Sequence, residues 1–266
     1  MTKISIITPT YNAERYLEQN IKSVLKQKND NIEHIIVDSE STDDTINIIN
    51  NYRDHFSKVI IEKDFGIYDG MNKGIVAAKG DLVGILNADD FYNDEVLKLV
   101  SKTYENSSKK DIIHGSMNII YKNMCALSSG DLSDKAFKNC HFKLNHAATF
   151  VPKSIYNKLG LFNIKYKSGA DREFLLRAHH KNVKFIQIDK PLANFRIGGF
   201  TSSYNLKIIF GRTKEEYEIN KIYYSRWQAM KKTIEQGFRM IRNAFFVFTF
   251  GNDKFLKKRM KLLVNK

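Results

Sequence analysis

Over roughly its first 115 residues the chain alternates short apolar runs with stretches of helical periodicity, and this rhythm constrains the fold more than any other feature. Ile4–Thr8, Ile35–Val37, Val59–Ile61 and Leu82–Leu86 read as buried strands. Between and after them, apolar residues recur near helical spacing: Tyr16, Ile21, Val24 and Leu25; Ile46, Ile48, Ile49 and Tyr52; Met71 to Ala78; and Val96, Leu97, Leu99 and Val100. Strands joined through helices pair in parallel, and the helices cover both sheet faces. The expectation is an α/β three-layer sandwich with a mostly parallel central sheet. In such open sheets a ligand sits beyond the C-terminal strand ends.

Polar clusters stand at those ends. The first strand runs into Thr8-Pro9-Thr10-Tyr11-Asn12 and the second into Asp38-Ser39-Glu40-Ser41-Thr42-Asp43-Asp44-Thr45. The third is followed by Asp64-Phe65-Gly66-Ile67-Tyr68-Asp69-Gly70-Met71-Asn72-Lys73-Gly74, and the fourth ends in Asn87-Ala88-Asp89-Asp90. Carboxylates crowded at neighbouring strand ends repel unless a cation or a donor-rich ligand lies between them. Asp89 and Asp90 cannot both point the same way. One can ligate a hard divalent cation, Mg²⁺ or Mn²⁺, while the other fixes a hydroxyl or a water; the competing reading is an acidic region before a helix. Asp38 stands where a carboxylate can accept from a base N–H or a ribose hydroxyl, or it is a turn residue. Ser41-x-x-Asp44 resembles a capping box opening the next helix. Asp171 is either an N-terminal cap or an exposed base, and His146 reads equally well as a satisfied core histidine.

From residue 116 to 200 the pattern loosens, with strands expected at Asn118–Tyr121 and Lys184–Ile188 and a helix at Ala170–His179. Beyond about 201 the chain reads as helical, broken near Gly211, Gly237 and Gly251. A boundary near Gly199 divides a 1–200 domain from a 201–266 basic amphipathic helical appendage. Charge follows that division. The chain carries 43 Lys/Arg and 29 Asp/Glu, a net of +14. Residues 205–266 hold 15 Lys/Arg against 5 Asp/Glu, a net of +10. There Phe238, Met240, Ile241, Phe245, Phe246 and Phe248 interleave with Arg239 and Arg242. This composition suits a helix lying on an anionic membrane surface. Helix faces docked on the core, or a nucleic-acid surface, are the alternatives, and no nucleic-acid-binding module is present to support the latter.

Several classes are excluded by what is missing. There is no G-x-G-x-x-G after the first strand, no P-loop and no G-x-S-x-G elbow. Cys125 and Cys140 cannot form a disulfide framework, so a reducing cytoplasm is expected. The start of the chain lacks a signal-peptide pattern. The longest apolar stretch near the end, Ala244 to Phe248, falls far short of the ~20 residues of a spanning helix.

Taken together, these segments resemble the family 2 glycosyltransferases of GT-A fold. The resemblance runs through Ile6 to Asn12, Val37-Asp38-Ser39, Ser41 to Thr45, Asp64-x-Gly-Ile-Tyr-Asp-x-Met-Asn72-Lys-Gly74 and Leu86-Asn87-Ala88-Asp89-Asp90. It continues through His146-x-x-Thr149 and Gly169-Ala170-Asp171-x-Glu-Phe-Leu-Leu-Arg177, in family order over residues 3–200. The Gly-Ile-Tyr-Asp-x-Met-Asn-Lys-Gly wording is most similar to bacterial enzymes of surface polysaccharide assembly. The resemblance implies that Pro9, Tyr11 and Asp38, with Glu40 nearby, hold the nucleobase and ribose of a nucleotide-sugar donor, UDP-sugar favoured. It implies further that Asp64 and Asn72 line that pocket, that Asp89 and Asp90 bind Mn²⁺ or Mg²⁺, with Asp89 also touching the donor, and that Asp171 is the catalytic base. His146 is placed on the acceptor or phosphate side. Asn87 occupies the position of the first acid of a strict D-x-D, so the x-D-D form applies. The implied activity is inverting transfer to a glycan or polyprenyl-diphosphate-linked acceptor at the inner face of the plasma membrane. A non-catalytic sugar- or membrane-binding module of the same fold is the alternative, and the intact Asp89, Asp90 and Asp171 argue against it.

Overall fold

The computed structural model of the chain describes residues 2–27, 31–197 and 206–264. The expected boundary near Gly199 lies outside the described residues. The first half follows the predicted alternation: β1 (Ile4–Thr10), α1 (Leu17–Leu25), β2 (Ile32–Asp38), α2 (Thr45–Asn51), β3 (Lys58–Ile61), α3 (Ile67–Ala77), β4 (Leu82–Ile85), β5 (Phe91–Tyr92) and α4 (Val96–Glu105). The second half adds β6 (Ile112–Tyr121), β7 (Met124–Ser128), α5 (Asp134–Lys138), β8 (Thr149–Pro152), α6 (Lys153–Leu159), α7 (Ala170–His180) and β9 (Phe185–Arg196). It closes with α8 (Leu206–Tyr223), α9 (Arg226–Phe250) and α10 (Asn252–Val264).

One nine-stranded sheet organises these elements in the order β3-β2-β1-β4-β8-β6-β9-β5, with β7 paired to β6. The β3-β2-β1-β4 half is parallel, as the helical connections require. Beyond β4 the sheet is mixed: β8 is antiparallel to both β4 and β6, while β6 and β9 run parallel. The loosened rhythm after residue 116 has this cause. Antiparallel neighbours need no intervening helix, and β6 and β9 are twice the length of the apolar runs that announced them.

β1 is buried at every position because helices cover both faces of it. Ile7 joins Ile35, Val37 and Ile85 against Tyr68, Met71 and Ile75 of α3 and Phe174 and Leu175 of α7. Ile4 and Ile6 face the other way with Leu82 and Leu86, against Val96, Leu97 and Val100 of α4. Gly74 fits α3 to the sheet: a Cβ there would lie 2.3 Å from Ile7 Cγ2. The α3 contact therefore requires glycine.

Two expectations are corrected in the helices. Gly211 and Gly237 break nothing, since α8 and α9 run through them; packing overrides the modest cost of an interior glycine, and of these three only Gly251, at a φ of 82°, ends a helix. The Ser41–Asp44 capping box does not form. The Ser41 hydroxyl turns to Asp38 instead, and the Thr45 amide at the start of α2 donates to Asp43. The C-terminal helices dock on the domain: Ile219 of α8 enters the main core, Arg172 pairs with Glu216 at 3.1 Å, and Phe255, Leu256 and Met260 of α10 pack on the β6–β7 hairpin.

Candidate active site

Three groups of the expected residues gather at the C-terminal ends of the parallel strands. At the β4 end, residues 87–90 form a tight turn, with the Asp90 amide donating to the Asn87 carbonyl. Asn20 of α1 locks it from beneath, its Nδ2 donating to the Asn87 carbonyl at 2.8 Å and the Asp90 carbonyl at 3.0 Å. The turn sends the two carboxylates apart. Asp90 is 1% exposed and its Oδ1 accepts from the backbone N–H of Arg196, at the end of β9. Asp89 is the more open. The Arg196 guanidinium lies over the Tyr16 and Phe91 rings, 4.5 and 4.6 Å from their centroids, and donates to the Asp89 carbonyl. No motif in the sequence marked Arg196 or Asn20; only the sheet topology delivers them.

This acidic turn is incompletely satisfied. Asp90 Oδ2 and Asn87 Oδ1 are buried without a hydrogen-bond partner, a rare and costly state for oxygen atoms. Burial raises the Asp89 carboxyl above its ordinary range. Burial and the adjacent Asp89 charge push Asp90 well above it, despite the Arg196 amide and guanidinium. Oxygen-only donors with unmet demand fit a hard divalent cation, which would supply the missing partner and favour the ionised forms. Among the described residues no group of three or more His, Cys, Asp or Glu side chains is arranged to hold a metal, so Asp89 and Asp90 would hold it with oxygens from elsewhere.

The second group lies at the ends of β1, β2 and β3. Asp38, expected at the base or ribose, is wholly buried, and its carboxylate already accepts from Thr10 Oγ1 at 2.8 Å, Ser41 Oγ at 2.6 Å and the Ser41 amide at 2.8 Å. It fixes the loop that carries Glu40, which is exposed and sits in the left-handed region at a φ of 55°. Tyr11 is 64% exposed beside this loop, whose Ser41 hydroxyl accepts from the Asn12 amide. Pro9 pairs in register with Val37. Asp64, Pro9 and Val37 all lie beside Gly70: a Cβ there would lie 3.1 Å from Asp64 Oδ2 and 3.8 Å from Pro9 Cβ and Val37 Cγ1. Asn72, expected to line the same pocket, is bonded both ways to the backbone of Phe162, Nδ2 to its carbonyl at 2.9 Å and Oδ1 from its amide at 3.0 Å.

The third group centres on Asp171, in the first turn of α7. Its Oδ1 accepts from the Tyr68 hydroxyl at 2.9 Å and from the Arg172 amide at 2.8 Å; its Oδ2 lies 3.4 Å from His146 Nδ1. Burial acts against the carboxylate, but His146, Tyr68 and the Arg172 amide outweigh it, and Asp171 titrates below its ordinary range. With Nδ1 turned to the carboxylate, His146 Nε2 is buried without a partner. Asp171 and His146 line a small, largely apolar cavity together with Ile85 of β4, Tyr156 and Phe162. Tyr68 was present in the Gly-Ile-Tyr-Asp motif without an assigned role; only the docking of α3 against α7 shows its partner.

The mixed α/β structure, with its curled central sheet and C-terminal helices, is similar to that of GT-A glycosyltransferases. The profile of Glycosyl transferase family 2 matches residues 5–124, and relatives of the chain are named glycosyltransferases. A PGL/p-HBAD biosynthesis glycosyltransferase of Mycobacterium bovis is 29% identical over 177 residues, 65% of this chain and 68% of that protein. An uncharacterized glycosyltransferase of Haemophilus influenzae is 42% identical over 110 residues, 40% of this chain and 44% of that protein. Among solved structures, S. aureus TarS 1–349 in complex with UDP-GlcNAc superposes with a TM-score of 0.69 at 20% identity, covering 93% of this chain and 76% of that one. A mannosyltransferase from Pyrobaculum calidifontis in complex with GDP-Man and Mn²⁺ gives 0.64 at 12% identity, covering 98% and 80%.

Proposed function

We propose that the chain is an inverting, metal-dependent glycosyltransferase that moves a sugar from a nucleotide-diphosphosugar to a hydroxyl of a glycan acceptor. The observation that carries the reading is Asp171: a carboxylate held ionised by three donors, in a cavity it shares with the β4 strand that leads into Asp89 and Asp90. Pro9, Tyr11, Glu40 and Asp64 would receive the nucleoside, with Asp38 and Asn72 fixing the loops around it. UDP is the favoured nucleotide, in keeping with the UDP-GlcNAc of the TarS complex. Asp89 and Asp90 would hold Mn²⁺ or Mg²⁺, and a divalent cation there supplies charge neutralisation for the departing diphosphate.

In this reading Asp171 accepts the proton of the acceptor hydroxyl as that oxygen attacks the anomeric carbon. The bond from that carbon to the diphosphate breaks on the opposite face, so an α-linked donor yields a β-glycoside. Tyr68 and His146 orient the base, and His146 Nε2 is free to accept from a hydroxyl on the acceptor or phosphate side. The acceptor is proposed to be linked to a polyprenyl diphosphate in the assembly of a bacterial surface polysaccharide such as O-antigen or lipopolysaccharide. The enzyme would then work peripherally at the inner face of the plasma membrane, held by its basic C-terminal region. Among the described residues no helix is long and apolar enough to cross a membrane.

The test is thermal unfolding with UDP, GDP and dTDP and a panel of UDP-sugars, with and without Mn²⁺. A ligand at 100 times its dissociation constant adds roughly 2.7 kcal/mol, a readily measured shift in midpoint. A Mn²⁺-dependent shift with one nucleotide is expected; no shift with any of them would transfer the weight to a non-catalytic module.

A further inference from the structure

The C-terminal helix α9 has two opposite apolar faces, and among the described residues only one of them is covered. Ala229 and Met240 are buried on the inner face, where Val247 and Phe246 also meet the cluster formed with α10. On the outer face Trp227, Ile234, Ile241 and Phe248 recur every seven residues with exposures of 69%, 50%, 56% and 92%, widened by Phe238 and Phe245 at 71% and 68%. The seam is about 32 Å long at 1.5 Å per residue. With aromatic side chains of roughly 150–250 Å² each, it leaves on the order of 700 Å² of apolar surface open, above the largest patch of a typical monomer.

A seven-residue repeat suits a second copy of α9, but the flanking charge does not. Lys231, Arg239 and Arg242 are exposed on this helix, which carries a single acid, Glu235. Two such helices side by side would abut like charges. The following helix adds Lys254, Lys257, Lys258, Arg259 and Lys261, all exposed. An apolar, aromatic seam bordered by cations is complementary to an anionic bilayer, whose interface takes the rings while its headgroups take the cations.

We infer that α9 lies in the plane of an anionic membrane with the Trp227–Phe248 seam buried at the headgroup boundary, and that this seam is the docking surface of the enzyme. The inference rests on the reading above that the acceptor is membrane-borne, and it adds which face makes the contact.

Trp227 is the only tryptophan in the chain, so its emission reports the seam directly. The full chain is titrated with vesicles of phosphatidylcholine and phosphatidylglycerol, and with phosphatidylcholine alone. With the anionic vesicles Trp227 emission moves to the blue and the protein sediments with them. The phosphatidylcholine vesicles bind far more weakly, each near-surface cation contributing roughly fivefold to partitioning. The variant F245S/F248S loses at least about tenfold in partitioning, with UDP binding and unfolding midpoint unchanged, since both rings are exposed. Trp227 emission that stays put in the presence of anionic vesicles overturns the inference. So does a concentration-dependent dimer that shifts Trp227 without lipid, which would give the seam to a second copy. UDP binding is measured in the same samples: its absence would count against the glycosyltransferase reading, and its presence beside either overturning result would refute the membrane seam alone.

Discussion

Tyr68→Phe removes one hydroxyl from the environment of the proposed base while keeping the ring that packs on Phe162, 5.6 Å between centroids. The lost contact is a 2.9 Å hydrogen bond to Asp171 Oδ1. Hydrogen bonds to charged groups are worth about 1.5–3 kcal/mol, so losing this one should raise the Asp171 carboxyl from its lowered position. A general base works ionised, so turnover is lost as pH falls through its pKa. In the native protein that acid limb lies below the ordinary carboxylate range, because the Asp171 pKa is lowered. In Y68F the limb moves upward, while at neutral pH, where both proteins are ionised, kcat falls only through poorer orientation. The sign for stability is the same: the depressed carboxyl stabilises the fold above its unfolded pKa and loses that contribution as pH falls, and the variant has less to lose. The assay is the pH profile of kcat and kcat/KM with saturating donor. An unmoved acid limb accompanied by a lower kcat, or a raised donor KM alone, would refute the role assigned to Tyr68.

Asp89→Ala should weaken Mn²⁺-dependent nucleotide binding while leaving the fold intact, checked by calorimetry with and without the metal; unchanged affinity would remove Asp89 from the metal site. Asn72→Ala strips both hydrogen bonds from the Phe162 backbone and should cost about 1–3 kcal/mol in denaturant unfolding, whereas a change near zero would show that the α6–α7 loop is held by packing. His34 is wholly enclosed, and burial lowers its pKa to about 3. Its neutral form is therefore the folded one, and stability should fall as pH drops from about 6.5 toward 3, by at most about 5 kcal/mol from this group. His34→Gln should flatten that slope, and an identical slope in the variant would assign the acid sensitivity elsewhere.

The parallel half of the sheet and its helices were legible because each strand is a continuous apolar run and each helix has its own periodicity. The acidic turn was legible too, as Asp89-Asp90 directly follows such a run. What stayed hidden depends on contacts across distant segments. Arg196 meets Asp89 over 107 residues of chain, and Tyr68 meets Asp171 over 103. Neither pairing leaves a local pattern. Asp38 and Asn72 show the complementary difficulty. Their residue types suit ligand contacts, and the bonds to Thr10, Ser41 and the Phe162 backbone that also fix them in place leave no mark in the sequence. Ser41 illustrates it at short range: its spacing to Asp44 matches a cap, but a buried carboxylate three residues earlier is the stronger acceptor. Glycines misled in α8 and α9, where the neighbouring helices and sheet stabilise a continuous helix.

The measurement that bears most directly on the central claim uses Asp171→Asn, which keeps the shape of the side chain and removes its charge. Nucleotide affinity with Mn²⁺ and sugar transfer from the donor identified by thermal unfolding are measured on the same preparation. The expected result is affinity within a few-fold of the native protein and a loss of transfer of at least about 10²-fold, the lower range for a positioned general base. Transfer that survives the substitution, or nucleotide binding that disappears with it, would contradict the assignment of Asp171 as the base of a glycosyltransferase.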